Sequence, residues 1–187
     1  MNLLAMNYER LIEKDLPNIE KYWLELIGED GDRVIQADYS QLFSVIKSSA
    51  GWGDLSESLN KPIYNTVSSK ENQVLGLVEI VISQKSDSLW VKLLDIHLSP
   101  EIEKANDTEE NTKCRLNVFI VALLGTFALT KELKNANTVK VYGRTDALVA
   151  FLKGMHDSFS VLNSLSTISG INVSIEGRWL VFRSTIT

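Results

Sequence analysis

The chain has little of what most often announces a function. One cysteine, Cys114, stands in 187 residues, so no internal disulfide can form and a reducing compartment is expected. Two histidines, His97 and His156, with no cysteine pair leave no recognised zinc spacing, and no metal is expected. Lysine and arginine never occur side by side and the net charge is −5, so a general nucleic-acid-binding surface is not expected. No linker rich in Pro, Gly or Ser and no internal repeat interrupts the chain, and a single domain over residues 1–187 follows. The first residues carry no basic segment ahead of their short apolar cluster, so no secretory signal is read there. The apolar run Val118–Leu129 is shorter than the roughly 20 residues a bilayer span needs, so no membrane association is expected and the location is taken as cytoplasmic. Phosphate-loop, dinucleotide and nucleophile-elbow patterns (Gly-x-x-x-x-Gly-Lys-Ser/Thr, Gly-x-Gly-x-x-Gly, Gly-x-Ser-x-Gly) do not occur.

What is there is an order of elements. Tyr8–Ile12 reads as a short strand. Ile19, Tyr22, Trp23, Leu26 and Ile27 recur at helical spacing behind Asp15 and Pro17, and the Gly28–Gly31 stretch ends that helix. A second helix runs from about Tyr39 to Ser48, broken by Gly51-Trp52-Gly53. From Ile63 the apolar period changes to two. Ile63–Ser69, Gln73–Ser83 and Leu89–Leu98 read as strands joined by short polar turns, an antiparallel meander. Glu101–Asn117 is polar and reads as a surface loop. Val118–Leu133 is apolar on nearly all sides and reads as a helix buried against a sheet. Thr138–Arg144 is a strand, Asp146 caps another helix through His156, Ser160–Gly170 is open between strand and loop, and Ile171–Arg183 is strand-like, with Glu176-Gly177 a hairpin turn or a bulge. The sum is an α/β (α+β) fold with a mixed central sheet flanked by helices.

This order, and the segment DALVAFLKGMH, resemble the GCN5-related N-acetyltransferase superfamily over nearly the whole length. The resemblance is in element order rather than strong motifs. It implies the acyl-CoA N-acyltransferase fold, acetyl-CoA or another acyl-CoA as cofactor, and an amine as acceptor. It also implies a glycine-rich pyrophosphate loop between the strand Leu89–Leu98 and the helix starting at Val118. That loop is altered: residues 101–117 hold no glycine and carry Glu101, Glu103, Asp107, Glu109 and Glu110 against Lys104, Lys113 and Arg115. Lys113, Arg115 and the backbone of Leu116–Phe119, Asn117 included, are the remaining anion site, with the main chain near Leu98 left to hold a pantetheine arm. The tyrosine that often serves as acid on the family's fourth helix is also missing, since its place falls near Phe151 and Leu152. Tyr142, on the preceding strand, either approaches the cleft or packs with its tip in water.

For acyl transfer the cleft would lie between the strands Leu89–Leu98 and Thr138–Arg144. The base candidates are Glu79, Asp95 and His97. Asp95 and His97 are two apart on a strand and are read as sharing the face of Val91 and Leu93. The alternative is a satisfied polar pair at a strand end. Trp52 either lines a substrate groove or lids the core. Cys114 reads as incidental, with a reactive thiol as the alternative. Two functions stay open: a divergent CoA-dependent N-acyltransferase, or a non-catalytic binding protein of the same fold that uses the cleft or the acidic 101–117 segment for a protein or small-molecule partner.

Overall fold

Strand β3 (Val74–Lys85) is buried on both faces, with Val78, Ile80 and Ile82 on one and Leu77 on the other. A strand of that kind needs cover on both sides. The computed structural model describes residues 6–28, 33–165 and 171–184, side chains at 159–165 excepted, and places helices on each side of a seven-stranded sheet. The strands are β1 (Met6–Arg10), β2 (Pro62–Ser69), β3, β4 (Ser88–Leu98), β5 (Ala136–Tyr142), β6 (Ile171–Glu176) and β7 (Trp179–Ser184), in the order β1-β2-β3-β4-β5-β7-β6. All neighbours are antiparallel except β4 and β5, the one parallel pair. A parallel pair needs a crossover, and the apolar helix after β4 provides it.

Helices α1 (Leu16–Ile27) and α2 (Arg33–Ser49) cover the face that carries Tyr64 and Leu77. Pro17 lies in the first turn of α1, where its missing N–H costs nothing. Trp23 and Phe43 are fully buried there in an edge-to-face pair at 5.7 Å, and the Trp23 indole donates to the Val74 carbonyl at 3.2 Å. On the other face lie α4 (Glu109–Glu132) and α5 (Asp146–Leu165), with a single helical turn, α3 (Pro100–Glu103), leading into α4. Val118, Val121, Ala122 and Leu129 of α4 and Leu152 of α5 pack on Val78, Ile80, Val139 and Leu180. Each valine, leucine or isoleucine among them contributes about 1.5–3 kcal/mol by leaving water. Gly125 has a packing reason within its helix: a methyl group there would overlap the ring of Tyr8 on β1.

Three expectations change. The segment 101–117 is not one loop: α3 takes its start, and α4 begins at Glu109 rather than Val118. Thr108 caps that helix, its hydroxyl accepting from the Asn111 N–H at 3.2 Å, and Glu109 and Glu110 complement the dipole in the first turn. These first turns are exposed, so they needed no apolar period. The 24-residue α4 is thereby long and apolar enough, by length and composition, to cross a membrane, yet it lies across the sheet with one side buried while Leu116 and Leu124 on its outer side are exposed. Helix α5 continues through 160–165, part of the stretch left open between strand and loop. Residues 29–31 and 166–170, on which a turn and the rest of that stretch were read, lie outside the described residues. Glu176 pairs with Trp179, so Gly177 at φ +62° and Arg178 form a two-residue hairpin turn.

The β5-β7-β6 wing is stitched by one acid. Glu176 accepts from Lys140 Nζ at 2.9 Å and from Arg183, while Lys140 Nζ stands 4.1 Å over the ring of Trp90 on β4.

Candidate functional site

The site begins with one surplus residue in β4. Ile80 pairs with Leu93 but Glu79 pairs with Asp95, so Leu94 is a β-bulge. The bulge reverses the phase of the strand. Asp95 stands across from Glu79, and Glu79 across from Tyr64, on the α1–α2 face. The expectation that Asp95 and His97 share the face of Val91 and Leu93 is therefore corrected: those two apolar residues face α4, and the polar pair faces the other way. At the same point β4 parts from β5. Their pairing runs from Leu89 and Ala136 to Leu93 and Val141 and stops, while β4 continues to Leu98. A bulge bends its strand and ends a ladder, which accounts for the coincidence.

On the α1–α2 side of the opening, a pocket of about 520 Å³ includes Tyr39, Asp95, His97, Glu103 and Arg144 in its lining. The structure brings the three base candidates together. His97 Nε2 lies 3.8 Å from Glu79 Oε2, and His97 Nδ1 lies 3.9 Å from Asp95 Oδ2. Both separations exceed a hydrogen bond. His97 Nε2 is buried and has no hydrogen-bond partner among the described residues, an arrangement that costs free energy unless something else is bound there. Asp95 is differently placed, since this same oxygen, Oδ2, is taken by the Arg144 guanidinium, which the bond holds in its charged form. Tyr64, beside Glu79, has its hydroxyl titration pushed up by burial and then by that carboxylate.

On the other side, a slot of about 160 Å³ is walled by Leu93, Ile96, Leu98, Phe119, Val141 and Leu148, with Arg115 and Tyr142 also facing it. Phe119 is fixed by an edge-to-face contact with Phe151 of α5 at 5.2 Å. The slot is narrow and mostly apolar. It suits a thin chain with an acyl end, and Asp95, Ile96 and Leu98 line both it and the larger pocket. Tyr142 lines this slot and also packs its ring on Trp179 at 4.8 Å, an arrangement that accommodates both placements.

The connection from β4 to α4 is filled from within. Arg115 sits in the second turn of α4, not at its start. Its Nε donates to the Ile102 carbonyl at 3.2 Å, Nη1 to Asp107 at 2.6 Å, and Nη2 to the carbonyls of Ala105 at 2.6 Å and Glu103 at 3.3 Å. Tyr39 donates to the Leu98 carbonyl at 2.8 Å and also meets the Glu103 carboxylate; burial first and that acid second push its titration up. The Leu98 carbonyl, a candidate for holding a ligand arm, thus already accepts one bond. Lys113 and Leu116 are exposed on α4 and Asn117 is buried within it, so the anion site expected at a helix start is not assembled. Cys114 packs against the core, and burial raises its thiol titration. His156 meets Asp157 on α5. Trp52 is half-buried against the α1–α2 core.

Sequence reasoning missed Arg144, Tyr39, Phe119 and Leu148. Arg144 left a trace, as the cation directly after the strand expected to border the cleft. The others are placed by packing.

No protein-family model matches the chain, and no curated protein matches it. Solved structures do. A possible acetyltransferase from Clostridium difficile 630 aligns with a TM-score of 0.50 at 13% identity, over 83% of this chain and 90% of that one. A GNAT family N-acetyltransferase (YhbS) from Escherichia coli, solved with CoA, aligns with a TM-score of 0.44 at 16% identity, over 96% and 81%. The first of these, with the strand order above, shows the fold: a mixed seven-stranded sheet of the GCN5-related N-acetyltransferase type.

Proposed function

We propose that this chain transfers an acyl group from a thioester donor, acetyl-CoA or another acyl-CoA, to an amine at the end of β4. The observation that carries the reading is the parting of β4 and β5 after Leu93 and Val141, with an unpartnered His97 nitrogen on one side and an apolar slot on the other. The fold of a possible acetyltransferase supports it. The acyl and pantetheine end of such a donor fits the slot; the loop where its diphosphate would lie is occupied by Arg115.

A bound thioester supplies an activated acyl carbon. Phe119, Val141 and Leu148 hold the donor arm and exclude water. The larger pocket admits the amine. His97 Nε2 takes the proton the amine sheds as the C–N bond forms and the C–S bond breaks. Glu79, 3.8 Å away, stabilises the imidazolium so formed. Asp95 is held by Arg144 and orients His97 from its Nδ1 side. Tyr142, at the slot, is placed to return a proton to the departing sulfur.

The acidic segment gives the non-catalytic reading no comparable support. Asp107 pairs with Arg115, Glu103 meets Tyr39, Glu101 accepts from Gln73, and Glu109 and Glu110 serve the helix start. The test is thiol release from acetyl-CoA against a panel of primary amines, with His97→Gln beside the parent protein. Amine-dependent release that His97→Gln abolishes supports the proposal. Absence of release with every amine, together with an unmoved melting temperature at millimolar acetyl-CoA, removes it.

A further inference from the structure

We infer that this site recognises its donor by the acyl and pantetheine end alone and leaves the donor's diphosphate unheld; the inference rests on the acyl-transfer reading above. A loop that binds phosphate points backbone N–H groups inward and leaves room for the anion. Here the polarity is reversed. The carbonyls of Ile102, Glu103 and Ala105 and the carboxylate of Asp107 all point inward, onto a guanidinium.

Those contacts engage four of the five N–H donors that an arginine side chain carries, so little remains for a phosphate. Arg115 also faces the slot itself, so the filled loop lies where a chain leaving the slot toward α4 would arrive. The start of α4 offers no substitute. The Asn111 N–H is already bonded to Thr108, and the first turn holds Glu109 and Glu110, which repel an anion. The apolar slot, in contrast, is complete on the donor's reactive side. A small acyl thioester without a nucleotide therefore satisfies every contact the protein offers.

The experiment compares acetyl-CoA with S-acetylpantetheine, which lacks both the diphosphate and the nucleotide, on the unaltered protein. Binding is read by calorimetry and turnover by thiol release with the best amine. The expected result is a difference of less than about fivefold in Kd and in kcat/KM. A preference for acetyl-CoA of about fivefold or more overturns the inference and leaves acyl transfer standing. If neither compound binds or reacts, the acyl-transfer reading fails and takes this inference with it. Raising the salt from 50 to 500 mM supplies a second readout: acetyl-CoA affinity should stay within about twofold, and a steep loss would reveal a phosphate contact.

Discussion

Two ionic clusters stand on the same face of the sheet and are built on opposite plans. Glu176 is clasped between Lys140 and Arg183, and each charge in that group touches its opposite. Around His97, Glu79 and Asp95 stand off at 3.8 and 3.9 Å, and a buried ring nitrogen is left without a hydrogen-bond partner among the described residues. The first arrangement is saturated and can only hold strands together. The second keeps a ring nitrogen unengaged, which is what a proton transfer requires. Arg115 follows the first plan, although it lies where the family resemblance led us to expect the second. Residue type did not separate these clusters; saturation of their donors and acceptors does.

The widest effect should come from the open cluster. His97→Gln is expected to lower kcat about a hundredfold or more while changing stability by less than about 1 kcal/mol, read by thiol release and by denaturant titration. An equal loss of both would turn the open cluster into another saturated one. The converse holds for Arg115→Ala. Losing its charged hydrogen bonds should cost about 2 kcal/mol, a melting-temperature drop of about 4–8 °C for a chain this long. A protein that melts unchanged would show that the loop holds its shape without the guanidinium.

Arg144 sharpens the contrast from within the open cluster, because its pair with Asp95 is mostly exposed on the arginine side. A double-mutant cycle of Arg144→Ala and Asp95→Asn should give a coupling below about 1 kcal/mol. A larger value would place that pair among the fold's structural contacts. The smallest effect belongs to Glu176. Its bonds to Arg183 and then Lys140 draw its titration down from 4.5 to about 2. A carboxylate depressed in the folded state contributes stability that is complete above about 4.5 and is lost as the pH falls through about 2. Glu176→Gln should therefore flatten the acid side of the stability curve by slightly lowering stability at neutral pH and leaving it almost unchanged near pH 2, as thermal melts between pH 2 and 7 would show.

The element order, the meander and the crossover helix were legible because each rests on an apolar period within a single segment. The cleft between β4 and β5 was expected from the family resemblance and not from any apolar period. What stayed hidden depends on two segments at once. Nothing near Leu94 in the sequence marks a bulge; it exists only in the register of β4 against β3, and the facing of Asp95 and His97 changes with it. The partners of Arg115 are mostly backbone carbonyls, which have no residue identity to read. The start of α4 is a different case: Thr108 followed by Glu109, Glu110 and Asn111 is a capping signal, outweighed by the lack of apolar residues around it.

Leu94 has a further consequence. A strand with one residue too many parts from its neighbour on the far side, and Asp95, Ile96 and Leu98, which line both the slot and the larger pocket, stand at the gap it props open. Deleting Leu94 leaves Glu79 across from Asp95 and keeps every side chain on its present face, yet it removes the prop. The shortened β4 is then free to pair with β5 beyond Val141. Such a protein should melt no lower than its parent and bind no thioester, inert through the closing of one seam with every other residue still in place.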